Sequence, residues 1–322
     1  MEALRAQYEE LGFCVLPAIF TAEQLEPMRR RLAREVDALA GQLHEEGRVT
    51  ELHEDAPLEK RLALLGWQTN VAKRSWGAAC QGEELYPLMT HPPLLDAVQD
   101  LLGVDTLFYH GCTTRPKLPA SCAGAEVASQ PYHQDSQYFN TGPDGIVRLA
   151  ADEHGENSAD LHIVSCWTPM IDVTLKNGGL MILESSHRWG LQPGRRDSDN
   201  NMHSTVDPLT RDPAPTPTAV DCRVGDVICF SNLTMHGSSW NKTDSVRWSL
   251  DWRFSAGPGS ARIRDPPMSQ AERLASEAYV EQQLLRTRSM PGAGQVVRAP
   301  AGQTVPTWEQ WVLATQDPTP SL

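Results

Sequence analysis

The 322-residue chain contains no apolar stretch approaching the roughly 18 residues that a membrane-spanning helix needs. Its N-terminus, MEALRAQYEE, is acidic and lacks the basic start and apolar core of a secretory signal, so a cytoplasmic location is expected. Basic residues are few: 28 Lys+Arg against 41 Asp+Glu leave a net charge of −13. That balance argues against a general nucleic-acid binder, which presents a basic face. The seven cysteines (Cys14, Cys80, Cys112, Cys122, Cys166, Cys222 and Cys229) are odd in number and contain no C-x-x-C. Free, mostly buried thiols are expected, and neither a disulfide framework nor a zinc ribbon. The P-loop, G-x-G-x-x-G, G-x-S-x-G and H-E-x-x-H patterns are all missing.

What is present is a globular composition, 21% charged with nine Trp, long enough to bury a sizeable core. Thr21 with Gln24 fits a capping box, and Leu25, Met28, Leu32, Val36 and Leu39 recur at helical spacing, so a helix is predicted over 21–43. Pro27 is expected to kink it or delay its start. A second helix is predicted over 92–102, with proline in its first turn and Gly103 at its end. From 104 to 255 short β-like runs follow: Thr106–Cys112, Leu161–Trp167, Gly179–Leu183, Asp226–Phe230 and Val246–Phe254. In the last of these, Trp248, Leu250, Trp252 and Phe254 alternate with Arg247, Ser249, Asp251 and Arg253. The polar face is either solvent-exposed or the inner wall of a barrel. Residues 192–220 are polar and proline-rich, the texture of a lid, a substrate loop or disorder. Beyond Gly257 a helical stretch is expected, capped by Ser269 and packed through Leu274, Tyr279, Leu284 and Leu285. Trp240, Trp248 and Trp252 are read as core.

The chemistry centres on His133-Gln134-Asp135 and on His236, a hundred residues later. In an extended H-x-D, alternate side chains share a face, so both can hold one metal. A distant histidine then completes two imidazoles and one carboxylate, which leave three adjacent positions open on Fe(II) for a bidentate cosubstrate and O2. Arg247, eleven residues past His236 and on the polar face, can clamp a carboxylate with its guanidinium fork. Gln137 and Tyr138 either face substrate or pack. His110, His162, His187 and His203 lack partner spacing and are read as structural or surface residues, with His110 the strongest exception because its segment leads toward Lys117.

Pro131-Tyr-His-Gln-Asp-Ser-Gln-Tyr-Phe resembles the metal motif of the phytanoyl-CoA dioxygenase family of Fe(II)/2-oxoglutarate oxygenases. Ser165-Cys-Trp-Thr-Pro-Met, Asn177-Gly-Gly-Leu-Met-Ile-Leu-Glu-Ser-Ser-His and Val224-Gly-Asp-Val-Ile-Cys-Phe resemble its later motifs in the right order, over about residues 10–255. The resemblance implies that His133, Asp135 and His236 bind iron and that Arg247 grips the far carboxylate of 2-oxoglutarate. It places Trp167 beside the cosubstrate, and either Lys117 or Arg115 as a second basic contact. It implies a mainly β (α+β) fold, a double-stranded β-helix or jelly-roll barrel of the cupin kind with flanking N- and C-terminal helices. The expected layout is one domain over 1–322, with helical support over 1–103, the jelly-roll core over 104–256 and a helical extension over 257–322. The implied activity is oxidation, by default hydroxylation, of an unactivated C–H bond in a small molecule of natural-product or lipid metabolism, consuming O2 and releasing succinate and CO2. Lys176 and Glu184-Ser185 depart from the family pattern outside the metal set. Asp135 disfavours the related halogenases, which lose this carboxylate to make room for halide. The alternatives are a cupin-like metal-binding protein without turnover and, with less support, an acyl-CoA-binding lid protein using Arg195-Arg196.

Overall fold

The computed structural model describes residues 1–66, 76, 82–123, 125, 130–142, 144–147, 149, 162–198, 201–257, 295–299 and 305–310. In chain order these form α1 (Glu2–Leu11), β1 (Phe13–Leu16), α2 (Ala22–Glu45), α3 (Leu58–Gly66), α4 (Tyr86–Met89), α5 (Pro92–Leu102), β2 (Leu107–Lys117) and α6 (Asp135–Phe139). There follow β3 (Ile163–Pro169), β4 (Leu180–Leu183), β5 (Gly194–Arg196), β6 (Met202–Ser204), β7 (Pro217–Ala219), β8 (Val227–Ser231), β9 (His236–Ser238), β10 (Arg247–Ala256) and β11 (Gln295–Arg298).

The expected capping box opens α2: Gln24 N donates to Thr21 Oγ1 at 3.3 Å, and Thr21 N donates to Gln24 Oε1 at 2.9 Å. Pro27 neither breaks nor delays this helix. The carbonyl four residues before it belongs to the exposed Glu23, so water can satisfy the bond that proline forfeits. Gly103 closes α5 in the left-handed conformation, as its position suggests.

A six-stranded antiparallel sheet, ordered β1-β8-β3-β10-β2-β11, curls against a three-stranded sheet, β7-β4-β9, as a double-stranded β-helix. The alternation in β10 decides how the layers are filled. Trp248, Leu250, Trp252 and Phe254 join one core with Leu25, Met28 and Leu32 of α2 and Leu94 and Val98 of α5. Helices therefore cover the outer face of the large sheet. Between the sheets lies a second cluster with Phe13, Trp167, Leu180, Ile182, Ile228 and Phe230. The polar set of β10 points inward, and Arg247, Ser249 and Asp251 are buried there. The solvent-exposed reading of that face is thereby excluded. Trp252 is fully buried and touches Phe20, so Trp252→Ala is expected to cost about 3–5 kcal/mol, read as a lower midpoint in urea unfolding.

Several expectations are corrected. Strand β2 runs on to Lys117, which sets Arg115 and Lys117 on the inner face opposite Ser249 and Arg247. Residues 192–220 are not one irregular loop: they hold the β5–β6 hairpin, a 3-10 turn over Pro208–Thr210 and β7. Trp240 is 46% exposed, whereas Trp248 and Trp252 are core. The helix expected after Gly257 falls on 258–294, outside the described residues, and the next described stretch, β11, is a strand paired with β2. The six described cysteines are free, five of them buried and Cys112 half-buried. Among the described residues no helix is long and apolar enough to cross a membrane.

Candidate active site

Main-chain pairing brings the two histidines together. His133 and His236 form an isolated antiparallel bridge in which each N–H donates to the other's carbonyl at 2.9 Å. Directly opposed residues send their side chains to the same side, and the two imidazole centroids lie 4.4 Å apart. Each ring is held through Nδ1, His133 by the Pro131 carbonyl at 2.8 Å and His236 by the Thr234 carbonyl at 2.9 Å. A carbonyl only accepts, so both Nδ1 atoms carry the proton and both Nε2 atoms present a lone pair. Burial and the neighbouring His236 push the His133 pKa down to about 3. That keeps the ring neutral, as a metal ligand must be.

Asp135 supplies the third donor, by a route that differs from a plain extended H-x-D. Gln134 is extended, but Asp135 is the first residue of α6, capped by a reciprocal Gln134–Gln137 side-chain and backbone exchange. The carboxylate still reaches the face of the imidazoles: ligand atoms of His133, Asp135 and His236 all lie within 4.8 Å of one another, and all three residues are buried. Burial alone would raise the Asp135 pKa. The Arg253 guanidinium, donating to both carboxylate oxygens at 2.9 Å, outweighs it and holds the group well below the usual carboxylate range.

Beside the triad lies a buried floor of basic side chains. Arg247, on β10, stacks its guanidinium over the Trp167 ring at 5.1 Å and donates from Nη1 to Ser249 Oγ at 2.6 Å. Its Nε is buried and makes no hydrogen bond, and among the described residues no carboxylate lies within ion-pair distance of it. Lys117, its direct neighbour across β2, is also buried and donates from Nζ to Ser238 Oγ at 2.6 Å. Burial, then repulsion from Arg247, lowers the Lys117 pKa to about 6, and burial lowers that of Arg247 to about 9. Arg115, the other candidate for this place, points instead at Asp251, with Nε to Oδ2 at 3.2 Å, and its side chain is 39% exposed.

The sequence profile of the phytanoyl-CoA dioxygenase family matches residues 8–249. The chain belongs to this family. Among its relatives, the peroxisomal phytanoyl-CoA dioxygenase of Homo sapiens is 25% identical over 260 residues, 78% of this chain and 67% of that protein. That of Mus musculus is 26% identical over 201 residues, 61% of this chain and 53% of that protein. The matches thus span about half to two thirds of the length of these relatives. Among solved structures, the apo form of ThoJ, described as a non-heme monooxygenase, superposes with a TM-score of 0.52 at 18% identity, covering 89% of this chain and 98% of that one. This likeness is one of fold.

The other residues singled out from the sequence of this phytanoyl-CoA dioxygenase family member fall into two groups. Tyr138 touches the site: its ring meets His133 edge-on at 5.5 Å, and its hydroxyl accepts from Met202 N at 3.0 Å. Gln137 does not face the triad. It is fully buried, and its amide donates to the Gln192 and Pro193 carbonyls at 3.0 and 3.3 Å, tying α6 to the loop. His110 also stands apart, hydrogen-bonded to Ser255 at 2.8 Å and packed on Phe108. It occupies a bulge in β2 opposite the Arg253/Phe254 step, where Gly111 takes φ +123°. Arg196 lies over the Tyr138 ring at 5.4 Å. Sequence reasoning missed Ser238, Ser165 and Arg253 as members of this site.

The Asn177-Gly178-Gly179 turn shapes the floor. Gly178 has φ +90°, and a Cβ there would lie 2.4 Å from Lys117 Cδ. Gly178→Ala is therefore expected to displace Lys117 and strain the turn. The expected result is weaker binding of a dianionic ligand with metal binding unchanged, measured by calorimetry on the Mn(II)-loaded protein.

Proposed function

We propose that this chain is an Fe(II)- and 2-oxoglutarate-dependent dioxygenase that oxidises, by default hydroxylates, an unactivated C–H bond of a small molecule. The observation that carries the reading is the pairing of a His-Asp-His triad with a buried guanidinium, Arg247, and a buried amine, Lys117. A buried charge without a counter-ion is costly, and Arg247 keeps an unbonded Nε inside the barrel. A dicarboxylate that meets the metal at one end and Arg247 at the other answers both features.

In this reading His133, Asp135 and His236 hold iron, which with 2-oxoglutarate and O2 supplies the oxidising chemistry and releases succinate and CO2. The remaining roles belong to the chain. Arg247 and Lys117 grip the far carboxylate, Ser238 orients Lys117, and Trp167 supports the Arg247 guanidinium. The helical cover and the apolar layer between the sheets keep water from the floor. The jelly-roll core is assigned to 104–256, with β1 and β11 extending its large sheet from either side of the sequence, helical support to the rest of 1–103, and substrate selection to 136–160 and 192–220. A metal-binding protein without turnover would have no use for Arg247 and Lys117 in these positions.

The test compares 2-oxoglutarate with 2-oxopentanoate, which keeps the keto-acid head but lacks the far carboxylate, on the Mn(II)-loaded protein. The expected result is at least tenfold tighter binding of 2-oxoglutarate. Equal binding of the two would contradict the proposal.

Lys117 adds a pH dependence. Its pKa of about 6 before binding means that it is largely neutral at pH 7.5, and a bound dianion favours the charged form. Binding at pH 7.5 should therefore take up a proton. Affinity should be flat below about pH 6 and fall as pH rises above it. Calorimetry in two buffers of different ionisation enthalpy reads the uptake, which Lys117→Met should abolish.

A further inference from the structure

The acceptor positions around Asp135 can be counted. An ionised carboxylate offers about four, two on each oxygen. Oδ2 accepts from Arg253 Nε at 2.9 Å and from Ser165 Oγ, which fills it. Among the described residues, Oδ1 accepts only from Arg253 Nη2, at 2.9 Å. One position is left, and it lies on the oxygen that stands 4.0 Å from His236 Nε2.

We infer that Arg253, with Ser165, is a positioning pair that makes Asp135 a one-toothed metal ligand through Oδ1. The inference rests on the metal site proposed above. The two residues face each other in register on β10 and β3. Asp251, two residues back on the same face, steadies the guanidinium at 3.4 Å. A planar fork donating along two parallel directions fixes the rotation of the carboxylate, which a lysine ammonium cannot do. The consequence concerns coordination. Two imidazoles and a one-toothed carboxylate leave three of six positions open, enough for a bidentate cosubstrate and O2. A chelating carboxylate would leave two. Arg253 would thus secure the third position without touching metal or substrate.

The experiment measures Mn(II) affinity by calorimetry and the visible d–d spectrum of the Co(II)-loaded protein, for the wild type, Arg253→Met, Arg253→Lys and Ser165→Ala. In Arg253→Met the Mn(II) Kd is expected to rise about 10- to 100-fold, the range found for partners of metal ligands, and the Co(II) spectrum is expected to change. Ser165→Ala should shift both in the same direction by less than tenfold. Arg253→Lys, which keeps the charge and loses the fork, should not restore the wild-type spectrum. Wild-type Kd and spectrum in Arg253→Met and Ser165→Ala would overturn the inference, whatever happens to thermal stability. Full restoration by Arg253→Lys would overturn it too, by reducing the role to charge. If Arg253→Met does not fold, the lysine and Ser165→Ala variants decide by the same two readings. A wild type that binds neither metal nor 2-oxoglutarate defeats the metal-site proposal itself. A wild type that binds both while the variants match it defeats only this inference.

Discussion

Replacing Arg247 with methionine is expected to weaken 2-oxoglutarate binding by about thirtyfold to several thousandfold, the equivalent of the roughly 2–5 kcal/mol lost when one member of a buried charge pair is truncated. Metal affinity should be unchanged, because Arg247 touches neither His133, Asp135 nor His236 through any hydrogen bond. The same substitution should leave the ligand-free protein as stable as the wild type or more so. Arg247 is buried, its Nε has no partner, and burial depresses its pKa to about 9. An apolar side chain of similar length over Trp167 removes a buried charge that has no carboxylate within ion-pair distance among the described residues. Loss of ligand affinity with a retained or higher Tm would mark a binding residue held at the expense of stability. Loss of both together would mean that Arg247 serves mainly to hold the barrel together.

His133→Ala should remove metal binding far beyond the tenfold to hundredfold that loss of a mere supporting partner brings. It should do so in a protein that still folds. The bridge between residues 133 and 236 is made by main-chain groups, which alanine keeps. The ring itself contributes the edge contact with Tyr138 and the bond to the Pro131 carbonyl, so a Tm loss comparable to that of a buried truncation is acceptable. Calorimetric titration with Mn(II) alongside thermal unfolding separates the two effects. Wild-type metal affinity in this variant would remove His133 from the ligand set.

The outline of the fold and much of the site were legible because local pattern and tertiary role coincide in several places. The alternation in β10 is one, since both faces are buried for different reasons: Trp248, Leu250, Trp252 and Phe254 against helices, Arg247, Ser249 and Asp251 inside the barrel. The capping box of α2 is another. His133, Asp135, His236 and Arg247 stood out because each residue type is chemically specialised and three of them fall on two short motifs. The residues that escaped notice are joined only by strand pairing. Arg253 and Ser165 meet Asp135 across 118 and 30 residues, and neither serine nor one more arginine on an alternating strand carries a signal of its own. Ser238 belongs with Lys117, 121 residues earlier. The sequence pattern ends β2 at Cys112, whereas the strand continues through Thr113-Thr-Arg-Pro to Lys117. Pairing with β10 holds Pro116 opposite Trp248, so tertiary context overrides the local preference. Strand β1 and helix α1 were missed for a related reason. β1 has four residues and exists by adding to β8, and α1 buries no residue completely.

The central claim is that one site holds iron and 2-oxoglutarate together. The most direct measurement is an anaerobic titration of the metal-free protein with Fe(II) and then 2-oxoglutarate, following the visible charge-transfer band that arises when the keto acid chelates the metal, with His236→Ala beside it. The account predicts a saturable band in the wild type and none in the variant. A wild-type protein that binds Fe(II) with the expected affinity and develops no band on adding 2-oxoglutarate would contradict it and favour a metal-binding role without turnover.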